Sequence, residues 1–298
     1  MEAYLGELAA LGTSLTFAIG STLFTAAGRR LGSVVVNRTR LIIAAIFLSL
    51  THWILLGNIW PLDAAPDRWF WLGLSGVVGL VLGDLFLFQA FVLIGPRLTM
   101  LMMSLAPVLA TLQAWVFLGE SLSGGQIFGI LLTLAGIGWV VLEGNGKSRN
   151  DRNYGRGILL GLGGAIGQAT GFVLAKNGLG GDFSPISANL IRMLAAIVLL
   201  WGMTFFQRQV KSTFQALRSD PKGVYIIIAA AFLGPFVGVS LSLFALQRVE
   251  VGIASTLTAL PPIFLLPISY FFFKERFGWG AVAGTLLAMT GVAALFLV

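Results

Sequence analysis

Residues Gly144 to Arg156 read GNGKSRNDRNYGR, a polar, charged stretch dense in turn residues, set in a chain that is otherwise almost continuously apolar. Working back toward the N-terminus, apolar runs lie at about 5–27, 34–56, 69–92, 97–117 and 124–143. Working forward, five more lie at about 157–177, 186–206, 223–246, 250–272 and 278–298. Roughly 20 residues of helix cross about 30 Å of hydrocarbon, so each run is long enough to span a membrane. The stretch therefore reads as a linker, and the fold class as an all-α integral membrane protein of ten transmembrane helices. The expected units are 1–143, the linker 144–156, and 157–298.

Composition points the same way. Of the 298 residues 57% are hydrophobic and only 10% are charged, against roughly a quarter charged in a soluble domain. Tyr4, Trp53, Trp69, Tyr154, Tyr225 and Trp279 fall near proposed span ends, where amphipathic rings anchor at the interface. The chain opens with Glu2 and Glu7 rather than a basic segment, so the first span is expected to be retained.

Several functions lose their chemistry at this stage. Cysteine is absent and His52 is the one histidine, which removes disulfide frameworks, Cys/His zinc sites and histidine-based nucleophilic triads. An intramembrane enzyme also lacks paired carboxylates at helical spacing. Gly146-Lys147-Ser148 has the ending of a phosphate-binding loop, but the glycine required five positions earlier is Val141 and no strand precedes it. No ATP site or other cofactor is expected. The net charge of +7 sits in short loops rather than on one basic face, so the expected partners are membrane lipids and a small-molecule substrate, not nucleic acid.

Thirteen Lys and Arg fall in the loops on one side (Arg29, Arg30, Arg97, Lys147, Arg149, Arg152, Arg156, Arg208, Lys211, Arg218, Lys222, Lys274 and Arg276) and three on the other (Arg68, Lys176 and Arg248). By the positive-inside rule the linker is cytoplasmic and both termini face outward, across a cell (inner) membrane.

The two halves are copies of one unit. An offset of 155 pairs Gly83 with Gly238, Ala90 with Ala245, Leu105 with Leu260, Pro107 with Pro262 and Phe117 with Phe272. The same offset pairs Glu120 with Glu275, Gly129 with Gly284 and Gly136 with Gly291. Nearer each start, an offset of 152 pairs Arg40-Leu-Ile-Ile-Ala-Ala-Ile with Arg192-Met-Leu-Ala-Ala-Ile-Val. Five spans per copy put the second copy upside down, an inverted repeat of the kind that places a transport site at the repeat interface; the plainer reading is a duplicated scaffold.

The order of apolar span, Pro107, Gly119-Glu120-Ser121 and a Gly-spaced span, matched by Pro262, Lys274-Glu275-Arg276 and another Gly-spaced span, resembles the EamA family of the drug/metabolite transporter superfamily over essentially the whole chain. The resemblance implies a ten-helix carrier whose central cavity alternates between inward and outward openings, often exporting amino acids, metabolites or toxic amphipaths. A lipid or lipid-linked flippase of the same fold is the alternative. A monomer suffices, because the duplication is already an internal pseudo-dimer, and a dimer stays open.

Candidate residues follow from the cost of polarity in hydrocarbon, which drives ionisable groups toward the bundle interior or a wet cavity. Asp84 lies about seven residues from the cytoplasmic end of the third span, roughly 10 Å deep at the helical rise. Its equivalent is Val239, so it reads either as a one-sided proton or amine site or as a carboxylate satisfied by neighbours. Arg40 and Arg192 suit a bidentate carboxylate or phosphate, or act as struts near helix ends; Arg38 suits snorkelling to the cytoplasmic face. Pro107 and Pro262, inside the fourth and ninth spans, would kink them as hinges or as plain packing features. Gln89, Gln113, Gln168 and Asn189 are candidate lining groups, with Trp115 and Phe172 as stacking surfaces, though such side chains also bond helix to helix. Gly163, Gly167 and Gly171 read as close-packing positions.

Overall fold

The computed structural model describes residues 4–118, 121–143, 152–179, 183–246 and 257–297. Glu120, most of the linker and the start of the predicted ninth span lie outside the described residues. Within them the chain is helical, and eight helices are long and apolar enough to cross a membrane.

α1 (Leu5–Leu31) and α2 (Ser33–Leu56) are joined by Gly32 alone, whose φ of 85° lets the chain reverse while its N–H bonds back to Gly28. α3 (Pro66–Gly76) begins on a proline, whose missing donor costs nothing in a first helical turn. It continues through a π-helical turn, Val77–Gly83, into α4 (Asp84–Met103). The third and fourth spans meet at Gly95, which has φ 77° and ψ 170°. Pro96 bars the preceding residue from helical geometry, and only glycine takes this positive φ without strain.

The fourth span breaks again at Ser104 before α5 (Leu105–Leu118). Pro107 lies in the first turn after this break, where its ring has no donor for the carbonyl of Met103. α6 (Gly124–Glu143) closes the first half.

The second half contains α7 (Arg152–Gly178), α8 (Pro185–Phe206), α9 (Val210–Ser219) and α10 (Pro221–Ala231). A second π-turn, Phe232–Gly238, leads into α11 (Val239–Leu246), followed by α12 (Pro261–Phe272) and α13 (Trp279–Leu297). Pro262 also sits in a first turn, that of α12. The span reading left no place for α9, a short helix held by Arg38: Nη1 donates to Thr213 at 3.0 Å and Nη2 to Gln209 at 2.7 Å. Arg38 thus stays buried and ties two helices together instead of snorkelling.

The halves interlock through antiparallel pairs. On α6 and α13, Gly129 meets Gly291 while Gly136 meets Gly284, and a Cβ on Gly136 would lie 2.3 Å from the Ala288 nitrogen. Along α2 and α8, His52 Nε2 contacts Ser187 Oγ at 2.9 Å near one end and Trp201 Nε1 donates to the Arg38 carbonyl at 3.3 Å near the other. α1 runs against α10 to α11, with Gly20 at Gly234 and Thr13 donating to the Gly238 carbonyl at 3.3 Å. α7 runs against α3 to α4 in the same manner, Ser75 donating to the Gly171 carbonyl. Lipid is as apolar as the side chains, so close backbone approach at small residues, rather than water exclusion, holds such pairs. Phe70, Leu131, Phe205 and Phe271 face outward, as a lipid-facing surface requires.

Candidate functional site

The site is built on the first π-turn. A π-turn widens the helix by one residue and re-aims the side chains that follow it, a feature frequent at functional sites. The two π-turns fall at equivalent places, Val77–Gly83 and Phe232–Gly238, 155 residues apart at both ends. At the first, Gly83 packs so tightly that an added Cβ would lie 3.2 Å from the backbone of Gly167. Gly171 faces Gly79 and Gly163 faces the ring of Phe86, so all three α7 glycines pack closely as expected.

Asp84 is the first residue beyond this turn and is 2% exposed. The helix runs on to Ile94 before the break, which puts Asp84 about 15 Å from that end at the helical rise, deeper than the sequence spacing suggested. Arg40 Nη2 pairs with its Oδ2. Gln168 Nε2 donates to Oδ1 at 2.9 Å, and Arg40 Nε donates to Asn37 Oδ1 at 3.1 Å. The Arg40 guanidinium also lies 4.7 Å from the centre of the Phe88 ring. An ion pair buried from water is stable only when nearly every donor and acceptor is matched in this way.

Arg192 reaches the same region from α8. A Cβ on Gly79 would lie 3.5 Å from Arg192 Nη2 and 3.8 Å from Gln168 Oε1, and the guanidinium stands 5.6 Å from the Phe172 ring centre. Asp84, Arg40, Gln168, Arg192 and Phe172 are therefore brought together from four spans of both halves. Gln89 is not among them: Ser33 donates to it at 2.6 Å, beside the tight turn between α1 and α2. Gln113 instead donates to Thr170 at 3.1 Å, on α7 near Gln168, and Trp115 is half exposed.

Sequence reasoning missed Asn37. Its signal is present in the repeat, since Asn37 precedes Arg40 by three residues as Asn189 precedes Arg192. Asn37 Nδ2, Asn189 Nδ2 and Arg192 Nε are buried without hydrogen-bond partners, all of them donors. One carboxylate among two guanidiniums and spare N–H groups forms an acceptor-seeking site that offers a metal cation little; among the described residues no three His, Cys, Asp or Glu side chains cluster.

A family model described as the EamA-like transporter family matches residues 4–142 and, a second time, 155–297. Among curated proteins none matches. A solved structure described only as "Crystal structure of protein" superposes with a TM-score of 0.63 at 17% identity, covering 99% of this chain and 96% of that one. At that identity the likeness concerns the fold.

Proposed function

The chain belongs to the EamA-like transporter family, and on that premise we propose that it is a secondary, ATP-independent carrier that moves small organic metabolites such as amino acids by alternating access. The observation that carries this reading is the Asp84, Arg40, Gln168 and Arg192 cluster, buried where the two halves meet. Buried ionisable groups in a membrane bundle are costly and mark solute or proton paths.

The antiparallel contacts support the inverted ten-span arrangement. Gly129 and Gly284 are equivalent positions, as are Gly136 and Gly291, and each contacts the other pair's member across α6 and α13. Equivalent helices thus run in opposite directions, and exchanging the roles of the halves exchanges the two openings. In this reading the linker is cytoplasmic, the termini are outside, the membrane is the cell membrane and a monomer is the working unit. Asp84 exchanges a proton or holds the solute's ammonium, with Arg40 as its alternate partner.

The test is uptake and counterflow of labelled amino acids in liposomes, with and without a pH gradient, comparing wild type with Asp84→Asn. Saturable transport that is lost or becomes insensitive to pH in the mutant is expected. Full pH-coupled flux in Asp84→Asn would reduce Asp84 to a structural anchor, and no flux of any amino acid would remove that substrate class.

A further inference from the structure

A second charged cluster lies at the linker end of the bundle, where the Gly95 turn meets the connection between α12 and α13. There Arg97, 9% exposed, lines a cavity of about 200 Å³ together with Ile94, Glu143, Tyr154, Glu275 and Phe277. Its Nε donates to Glu275 Oε2 at 3.4 Å, well beyond the roughly 2.8 Å of a well-made charge-assisted bond. Its Nη1 is buried and has no hydrogen-bond partner. The guanidinium is held in place by the Phe277 ring, whose centre is 4.8 Å away.

The carboxylates of the cavity are unequal. Glu143 lies against the start of α13, where a Cβ on Gly278 would stand 2.6 Å from its Oε1, a position the helix dipole favours for an anion. Glu275 lies against the Gly95 turn, 2.8 Å from a Cβ built there, with Arg29 Nη2 3.9 Å from the same point. Two guanidiniums of the first half therefore flank one loosely seated carboxylate of the second, and one of them presents an unfilled donor.

We propose that this cavity binds a small carboxylate anion, which competes with Glu275 for the guanidinium of Arg97. A carboxylate is favoured over phosphate because the resident group at this guanidinium is itself a carboxylate. The volume equals the liquid share of about seven waters, enough for an ion of acetate size with its hydration. Arg97 belongs to the first half and Glu275 to the second, so an arriving carboxylate loosens a tie between the halves at this end. The proposal goes beyond the transport reading, and its test involves no flux, so the two fail independently.

The experiment is a titration of the purified full-length protein in detergent, following the thermal unfolding midpoint with sodium acetate at constant ionic strength balanced by chloride, and with inorganic phosphate in parallel. Ligand binding to the folded state raises the midpoint saturably. The expected result is a saturable acetate shift, absent in Arg97→Gln, with half-saturation about tenfold lower in Glu275→Gln because the internal competitor is gone. Should Arg97→Gln fail to fold, the tightening in Glu275→Gln decides alone. No saturable shift in wild type, a shift retained in Arg97→Gln, no tightening in Glu275→Gln, or phosphate binding more tightly than acetate would each overturn the proposal.

Discussion

The first π-turn ends against Asp84 and the second against Val239, at equivalent positions of two copies of one unit. Around the first, Arg40, Asn37, Gln168 and Arg192 supply donors. Around the second, rings dominate: Phe236 stacks on Phe47 with centroids 5.3 Å apart, Phe232 meets Phe47 edge-on at 5.5 Å, and Gly238 abuts Phe17 beside the Thr13 and Thr16 hydroxyls. Duplication preserved the backbone device and one glycine approach, Gly79 to Gly171 and Gly234 to Gly20, while the side chains diverged into one charged and one largely aromatic environment. The π-turn is thus a property of the helix packing, and its chemistry is a separate choice.

The largest effect expected from this contrast concerns the two equivalent arginines. Arg40→Ala strands the buried Asp84 carboxylate and should cost about 3 to 5 kcal/mol, whereas Arg192→Ala, which removes no direct ion pair, should cost clearly less. Denaturation of both variants in detergent checks the order; equal losses would break the comparison. Next come the glycines. Gly167→Ala forces a Cβ to 2.5 Å from Gly83 Cα, backbone that cannot yield, and should cost on the order of 2 kcal/mol. Gly238→Ala meets a movable ring atom of Phe17 at 2.6 Å and should cost less, read as the difference between the two midpoints.

Gln168→Ala removes one bond to a charged acceptor, worth about 1.5 kcal/mol, and should also alter the pH dependence of transport, as no substitution at Phe17 should. The smallest effect belongs to a tie outside the polar environment, between Asp220 and Arg30, which are bonded at 2.6 and 2.7 Å. The Arg30 guanidinium beside Asp220 holds its carboxyl below the usual carboxylate range, aided by the Gly223 N–H. A depressed pKa contributes stability above the unfolded-state value that is lost as pH falls through the folded one. Midpoints measured from neutral to acid pH should therefore show a slight extra loss in wild type that Asp220→Asn lacks.

Much of the architecture was legible because hydropathy is read residue by residue. The eight long helices and the start of α8 at Pro185, within a residue of the expected 186, follow from the transfer cost of each segment and from proline at a first turn. The repeat also exposed Arg40 and Arg192 as one position used twice. The two π-turns were not legible: Val77–Gly83 is apolar and glycine-bearing like its surroundings, and the glycines it packs against, Gly167 and Gly171, are about 85 to 95 residues away in sequence. Nor was α9, whose place depends on Arg38 reaching Thr213 and Gln209.

The sequence by itself determined that the chain spans a membrane many times, that it was duplicated, and that Asp84 has no counterpart, since composition, spacing and identity are one-dimensional properties. Only the tertiary structure decided that Asp84 meets Arg40 and Gln168, 44 and 84 residues away, while Gln89 turns to Ser33 and Gln113 to Thr170. Every one of these side chains faces the same pressure to find a partner in hydrocarbon. Which partner it finds is set by the helix faces that small residues bring into contact.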